Sequence, residues 1–257
     1  MIKAIGSYIF TVAAVLTLAV PAHAQQSAAF GVGGDAPPQT INFTLGIFSP
    51  VGAEDRVDGD VLVEDCRRIG DDCTFLDFDI DDLKSVTFGA EYLLPIGNYL
   101  EFGAGISYTQ KTLASSYAEF VADDPLTPEI EEDEIEQDLK LRQLPLAFTI
   151  RVLPLGAANP VQPYFGGGIG VISWKYSEVG EFVDADLDVF RDEFEDSGVE
   201  VAPLIVGGVR FALDSFSIGG EVRWQKAEAD LDVDQFIAPK LDLGGWTYQL
   251  TLGLRFD

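Results

Sequence analysis

Trp246-Thr247-Tyr248-Gln249-Leu250-Thr251-Leu252-Gly253-Leu254-Arg255-Phe256 runs almost to the end of the chain and carries its clearest structural pattern. Every even position is large and apolar. Every odd position is polar or glycine. A period of two is the signature of a β-strand with two chemically different faces. In a soluble sandwich the apolar face would meet a core and the polar face water. In a membrane barrel the apolar face meets lipid and the polar face the lumen.

The same rhythm recurs upstream. It runs through Ile41, Phe43, Leu45 and Ile47, then Val86, Phe88, Ala90, Tyr92 and Leu94, then Leu100, Phe102, Ala104, Ile106 and Tyr108. It continues in Leu144, Leu146, Phe148, Ile150 and Val152, and in Phe216, Ile218, Gly220, Val222 and Trp224. Two further stretches are less regular. Pro163 to Lys175 contains Gly166-Gly167-Gly168, where a bulge would shift the phase. Glu200 to Leu213 is apolar on both faces. Together they predict eight strands.

The connections alternate in length. Pro95 to Asn98, Pro154 to Pro160 and Asp214-Ser215 are short; the stretches near 52–83, 111–138, 177–199 and 227–242 are long and acidic. Short turns on one side and long loops on the other are the habit of outer-membrane barrels. The expected fold is all-β: an eight-stranded antiparallel up-and-down transmembrane β-barrel, with four long acidic extracellular loops and three short periplasmic turns. Aromatics fit two girdles. Tyr92, Tyr99, Tyr164, Phe211, Phe216 and Phe256 fall by the short turns or the C-terminus, and Tyr108, Trp174, Trp224 and Trp246 by the long loops. A soluble sandwich or a lipocalin-like barrel would share the alternation, with the apolar face turned inward.

The N-terminus favours the membrane. Lys3 precedes an uncharged apolar run from Ile9 to Val20; Pro21 breaks it, and Ala22-His23-Ala24 has the small-x-small pattern of a cleavage site. The alternative, an anchoring helix, needs roughly 20 apolar residues, more than this run supplies. The expected organisation is a signal peptide at 1–24 cleaved after Ala24, a short periplasmic segment at 25–38 and a barrel domain at 39–257. Composition agrees. The chain is 47% hydrophobic with mean hydropathy +0.15, yet carries a net charge of −27. Those values coexist when acids and apolar residues are segregated along the chain.

Pro163-Tyr164-Phe165-Gly166-Gly167-Gly168-Ile169-Gly170 and the C-terminal strand ending in Phe256 resemble the small outer-membrane barrels of the OmpA, OmpX and opacity-protein type, a porin-like family. The resemblance covers roughly 39–257 and implies the architecture and a bacterial outer-membrane location. It implies that the C-terminal strand is read by the assembly machinery; here Asp257 follows Phe256. Nothing after Phe256 resembles a peptidoglycan-binding domain, so a two-domain arrangement is not expected. The scaffold hosts adhesion, structural, channel and enzyme roles, so function must come from particular residues.

Inward parity places Glu91, Glu101, Arg151, Glu221, Arg223 and Arg255 in the lumen, with Arg210 beside them. An interior of eight strands is just filled by side chains, and charges there must pair. Two readings follow: a salt-bridge network that plugs the barrel, which the near balance of charge favours, or a gated polar pore. Cys66 and Cys73 would meet an oxidising compartment after export. A disulfide there would contribute about 2.5 kcal/mol on the chain-entropy model; free thiols or a partial metal site are the alternatives.

His23 is the single histidine and leaves with the signal peptide. That removes the base that lipid A deacylases, palmitoyltransferases and outer-membrane proteases of this scaffold use. The expectation is a non-enzymatic barrel without cofactor, structural or adhesin-like. The alternatives are a small channel for hydrophobic or small polar solutes and, disfavoured, a lipid A-modifying enzyme. Acids crowd the loops: Asp71, Asp72, Asp77, Asp79, Asp81 and Asp82; then Glu129, Glu131, Glu132, Asp133, Glu134, Glu136 and Asp138; then Asp184, Asp186, Asp188, Asp192 and Glu195. The third set matches the carboxylate spacing of a calcium loop, but Val189 stands where that loop needs Gly. A solvated acidic rim, or a strand rising above the membrane, is the simpler reading. Such a surface repels nucleic acid. Expected partners are outer-membrane lipid and lipopolysaccharide, with divalent cations or cationic surface partners at the loops, and the barrel is expected to be a monomer. The acidity also suits a saline habitat.

Overall fold

The computed structural model describes residues 37–66, 68–69, 72–73, 76–117, 135–183 and 189–256, with backbone alone at 68, 69, 72, 73, 77 and 183. The expected signal peptide, Asp71, Glu129 to Glu134, Asp184, Asp186 and Asp188, and the side chain of Cys73 therefore lie outside the described residues.

Eight long strands form the molecule: β1 (Gln39–Pro50), β2 (Ser85–Ile96), β3 (Leu100–Tyr117), β4 (Glu136–Val152), β5 (Val161–Val183), β6 (Val189–Ala212), β7 (Phe216–Gln225) and β8 (Gly245–Phe256). Each pairs antiparallel with its chain neighbour, and β1 pairs with β8, so the sheet closes into a ring. Closure removes every free sheet edge within the wall, which a strand in lipid requires. Paired residues can be followed round the ring from Ile47 through Tyr248, Val222, Gly207, Phe165, Val152, Leu100 and Ile96. Ile96 lies beyond Leu93, the partner of Thr40, so the path returns at the start of β1 rather than at Ile47. The strands are therefore tilted, as a barrel demands. A level ring through Ile47, Trp246 and Trp224 passes near Gly170 on β5 and Leu146 on β4.

Below that ring the outer wall is apolar. Phe43, Leu45, Phe88, Phe148, Ile150, Phe165, Ile205, Phe211 and Leu252 are exposed, and Leu250 reaches 70% exposure. In water this would be untenable; in hydrocarbon it is the solvated face.

Three sequence expectations change. The register through Gly166-Gly167-Gly168 is unbroken on both sides, so there is no bulge. The glycines answer a steric need instead: a Cβ at Gly166 or Gly168 would meet the carbonyl oxygens of Ile150 or Phe148. Tyr164 and Trp174 do not join the girdles. Unbroken parity turns both inward, at 5% and 3% exposure. Finally, β3 to β6 continue well past the girdle into stretches expected to be loops.

Above the girdle the barrel is capped. The segment after β1 forms a short helix, α1 (Val61–Cys66), and the segment after β7 forms a small antiparallel pair, Glu228–Asp230 with Lys240–Asp242. Val61, Leu62, Cys66, Phe78, Ile80, Leu231, Phe236, Leu241 and Leu243 from these segments pack with Leu113, Leu139, Leu141, Ile172, Trp174 and Tyr176 of the wall in one buried core. At about 25 cal/mol per Å² of buried apolar surface, such a core holds the segments to the barrel.

Candidate functional site

The lumen within the membrane band is filled by ions. Arg151 on β4 is fully buried, and its Nη2 lies 2.5 Å from Glu91 Oε1 on β2 and 3.0 Å from Glu221 Oε2 on β7. Arg223 Nη2 lies 2.9 Å from Glu221 Oε1 and 3.4 Å from Glu91 Oε1. Arg210 on β6 holds Glu101 Oε2 on β3 at 2.8 Å, and Arg151 Nη1 approaches Glu101 at 3.9 Å. Six of the seven lumen residues singled out in the sequence thus meet in one charge-balanced cluster of three carboxylates and three guanidiniums.

Neutral groups add to it. The Tyr164 hydroxyl donates to Glu221 Oε2 at 2.9 Å, and Gln249 Nε2 donates to Oε1 at 2.7 Å. Arg210 Nε donates to Gln162, whose amide donates onward to the Ala157 and Asn159 carbonyls of a short turn. The Arg151 guanidinium stacks over the Tyr164 ring, 5.0 Å from its centroid, a desolvated cation–π contact. Sequence reasoning missed Tyr164, Gln162 and Gln249. Parity counted from Arg151 through the paired Gly166 would have turned Tyr164 inward.

Arg255 stands apart from the cluster, contrary to expectation. It keeps inward parity but lies next to the end of β8, where the wall stops. Its Nη1 donates to the Leu213 carbonyl in the turn between β6 and β7.

The second level is the cap, where a buried clasp joins its two segments. Arg56 donates to Asp60 through Nε at 2.8 Å and Nη2 at 3.0 Å, and through Nη2 to the Asp242 carbonyl at 2.9 Å. Asp60 accepts from the Leu62 amide at the start of α1 and from the Asp242 amide at 2.5 Å, so one carboxylate caps the helix and pins the other segment. Burial raises the Asp242 carboxyl, opposed by the Gly244 amide and Arg56. A void about one water in size is lined by Arg56 and Asp242 of the clasp, by Ser85, Thr109 and Gln143, and by the apolar Phe48, Leu83 and Leu141.

Cys66 is buried at the end of α1, and Cys73 faces Arg68 in a two-residue strand pair. Asp79, Asp81, Asp82, Asp192 and Glu195 are exposed. Asp79 accepts from the Asp81 amide and Glu195 pairs with Lys175, so these acids serve local turns and strands. Among the described residues no three His, Cys, Asp or Glu side chains gather in a metal-holding group.

Among solved structures, the chain is similar to the attachment invasion locus protein Ail of Yersinia pestis, crystallised with the heparin analogue sucrose octasulfate. Identity is 14%, coverage 85% of this chain and 99% of that one, and the TM-score 0.40. It is also similar to the outer membrane protein OprG of Pseudomonas aeruginosa, at 14% identity, 86% and 96% coverage and a TM-score of 0.46. No curated protein matches. The model of the outer membrane protein beta-barrel domain matches residues 10–256. With the closed antiparallel ring and its lipid-facing wall, that match establishes that the chain belongs to the outer membrane protein beta-barrel domain family.

Proposed function

We propose that this outer-membrane barrel is closed and non-enzymatic, and that it serves as a structural and surface-interaction, adhesin-like protein. The observation that carries the reading is the double obstruction of the axis: a balanced ionic cluster in the membrane band and an apolar cap above it. A pore needs a continuous wet path, and both levels deny one. The described part of the extracellular surface is acidic, with Asp138, Asp192, Glu193, Glu195, Asp230 and Asp234 exposed. Partners of matching chemistry are cationic protein surfaces, or lipopolysaccharide phosphates bridged by divalent cations. Polyanions are poor ones.

The reading includes export by a signal peptide at 1–24, a short periplasmic segment at 25–38, and a disulfide between Cys66 and Cys73. The mature mass on export tests the cleavage, and a 2 Da rise on reduction tests the disulfide. The lumen network of Glu91, Glu101, Arg151, Arg210, Glu221 and Arg223 acts as the plug, with Arg255 at the rim. Planar-bilayer recordings of refolded protein are expected to show no stable openings. Discrete, reproducible conductance steps would overturn the closed-barrel reading and favour a small channel.

A further inference from the structure

The cap holds acids that its clasp does not use. Asp65, at the end of α1, is buried and its Oδ2 lacks a hydrogen-bond partner among the described residues. Glu178, on the inward face of β5 well above Gly170, is buried and its Oε1 lacks one too; the buried Tyr176 hydroxyl lies close enough to bear on its charge. Among the described residues, the charges acting on Asp65 are Glu178, Asp60 and Glu64, all acidic. Arg56 is engaged by Asp60 and Asp242, and Lys240 pairs with Glu228 at the surface. Beside Glu178, β4 places Leu139 and β6 places Phe194. From the segment after α1, Leu76 is apolar; Arg67 and the side chains of Arg68 and Asp77 lie outside the described residues.

Two buried carboxyls facing further acids cannot both ionise without a large penalty. We propose that seating of the cap is proton-dependent: Asp65 and Glu178 carry protons while α1 is docked on the β5 wall, and the cap loosens as those protons are lost. Burial pushes Glu178 up to about 7, against an opposing pull from Tyr176. Burial, then Glu178, Asp60 and Glu64, lift Asp65 well above the carboxylate range. The sign follows. The docked state binds more protons than the undocked one, so docking is firmest below the ordinary carboxylate value of about 4 and weakens as pH rises through neutrality. The titrating groups lie above the membrane ring, in contact with the external medium's pH once the cap breathes. The ionic cluster below is untouched.

Trp174 reports the cap, because it lies in the same core as Tyr176, and Trp224 and Trp246 are the chain's other tryptophans. The full chain carrying Trp224→Phe and Trp246→Phe, refolded in detergent, would be titrated from about pH 5.5 to 9 with acrylamide quenching read at each step. The docking equilibrium is expected to fall by up to about tenfold per pH unit for each proton released, so quenching of Trp174 rises severalfold while the folded gel band persists. Glu178→Gln and Asp65→Asn, each neutral and nearly isosteric, are expected to flatten the rise. A flat profile in the parent overturns the proposal. So does an equal rise in Glu178→Gln, or a rise that coincides with loss of the folded band. If Asp65→Asn fails to fold, the parent and Glu178→Gln still decide. Quenching reads packing rather than conductance, so its failure is distinct from failure of the closed-barrel reading.

Discussion

The interior is stoppered twice, by opposite chemistry. In the membrane band the plug is ionic: six charged side chains cancel one another inside an apolar wall. Above it the plug is mainly apolar, pinned by one ionic clasp, inside a polar wall. One strand shows both. On β4 the odd residues point inward throughout, as Leu139, Leu141, Gln143, Ala147, Thr149 and Arg151; the even ones point outward, as Asp138, Lys140, Arg142, Leu144, Leu146, Phe148 and Ile150. The register never slips, yet the polarity inverts between Arg142 and Leu144. The outer solvent changes there from water to hydrocarbon, and each wall takes the side chains its solvent favours. The difference teaches that alternation fixes which residues share a face, while the surroundings decide which face is apolar.

The two plugs should break differently. Arg151→Ala carries the largest expected effect, because it removes the fully buried guanidinium that touches all three carboxylates and leaves Arg223 as the one cation against Glu91 and Glu221. The loss is about 3–5 kcal/mol, read as a lower urea midpoint for the whole barrel in lipid vesicles. A loss below about 1 kcal/mol would show that water already solvates the cluster. Leu62→Ala empties a fully buried site in α1 and is expected to cost about 2–4 kcal/mol, locally. Quenching of Trp174 should rise while the heat-modifiable gel shift of the barrel stays unchanged. If Leu62→Ala abolishes that shift, the cap and the barrel fold as one unit and the contrast drawn here fails.

The eight strands and the charged lumen were legible because residues in the band obey a strict period of two against one solvent. The cap was not legible, because its signal is the same period with reversed polarity. Leu139 and Leu141 alternate with Asp138, Lys140 and Arg142, and in isolation that reads as a charged loop. Val61, Leu62, Leu241 and Leu243 are scattered among acids, and tertiary packing alone gathers them. The acids Asp60 and Asp242 read as part of a solvated rim, yet Arg56 and backbone amides hold them in a dry clasp. Tyr164 was misplaced for a simpler reason: a bulge was allowed at Gly166 to Gly168, which released the parity that points it inward.

Tyr164→Phe sharpens the comparison on the ionic side. It keeps the ring under Arg151 and removes the hydroxyl that donates to Glu221. A hydrogen bond to a buried charge contributes about 1.5–3 kcal/mol, so the urea midpoint should fall by less than in Arg151→Ala. A loss as large as that of Arg151→Ala would mean that the tyrosine, rather than the charge balance, organises the cluster.

The smallest effect is expected at an ion pair on the outer wall above the membrane. Lys175 Nζ lies 2.5 Å from Glu195 Oε2, with the side chains 35% and 52% exposed. In the lumen that geometry would be costly to break. In water the charges are already solvated and screened, so Glu195→Gln should shift stability by no more than about 0.5 kcal/mol. The same distance thus carries different weight in the two regions, because what matters is the solvent each ion gave up. A loss above about 2 kcal/mol for Glu195→Gln would place the extension of β5 and β6 in a drier setting than open water, and the polarity inversion on β4 would then need a cause other than solvent.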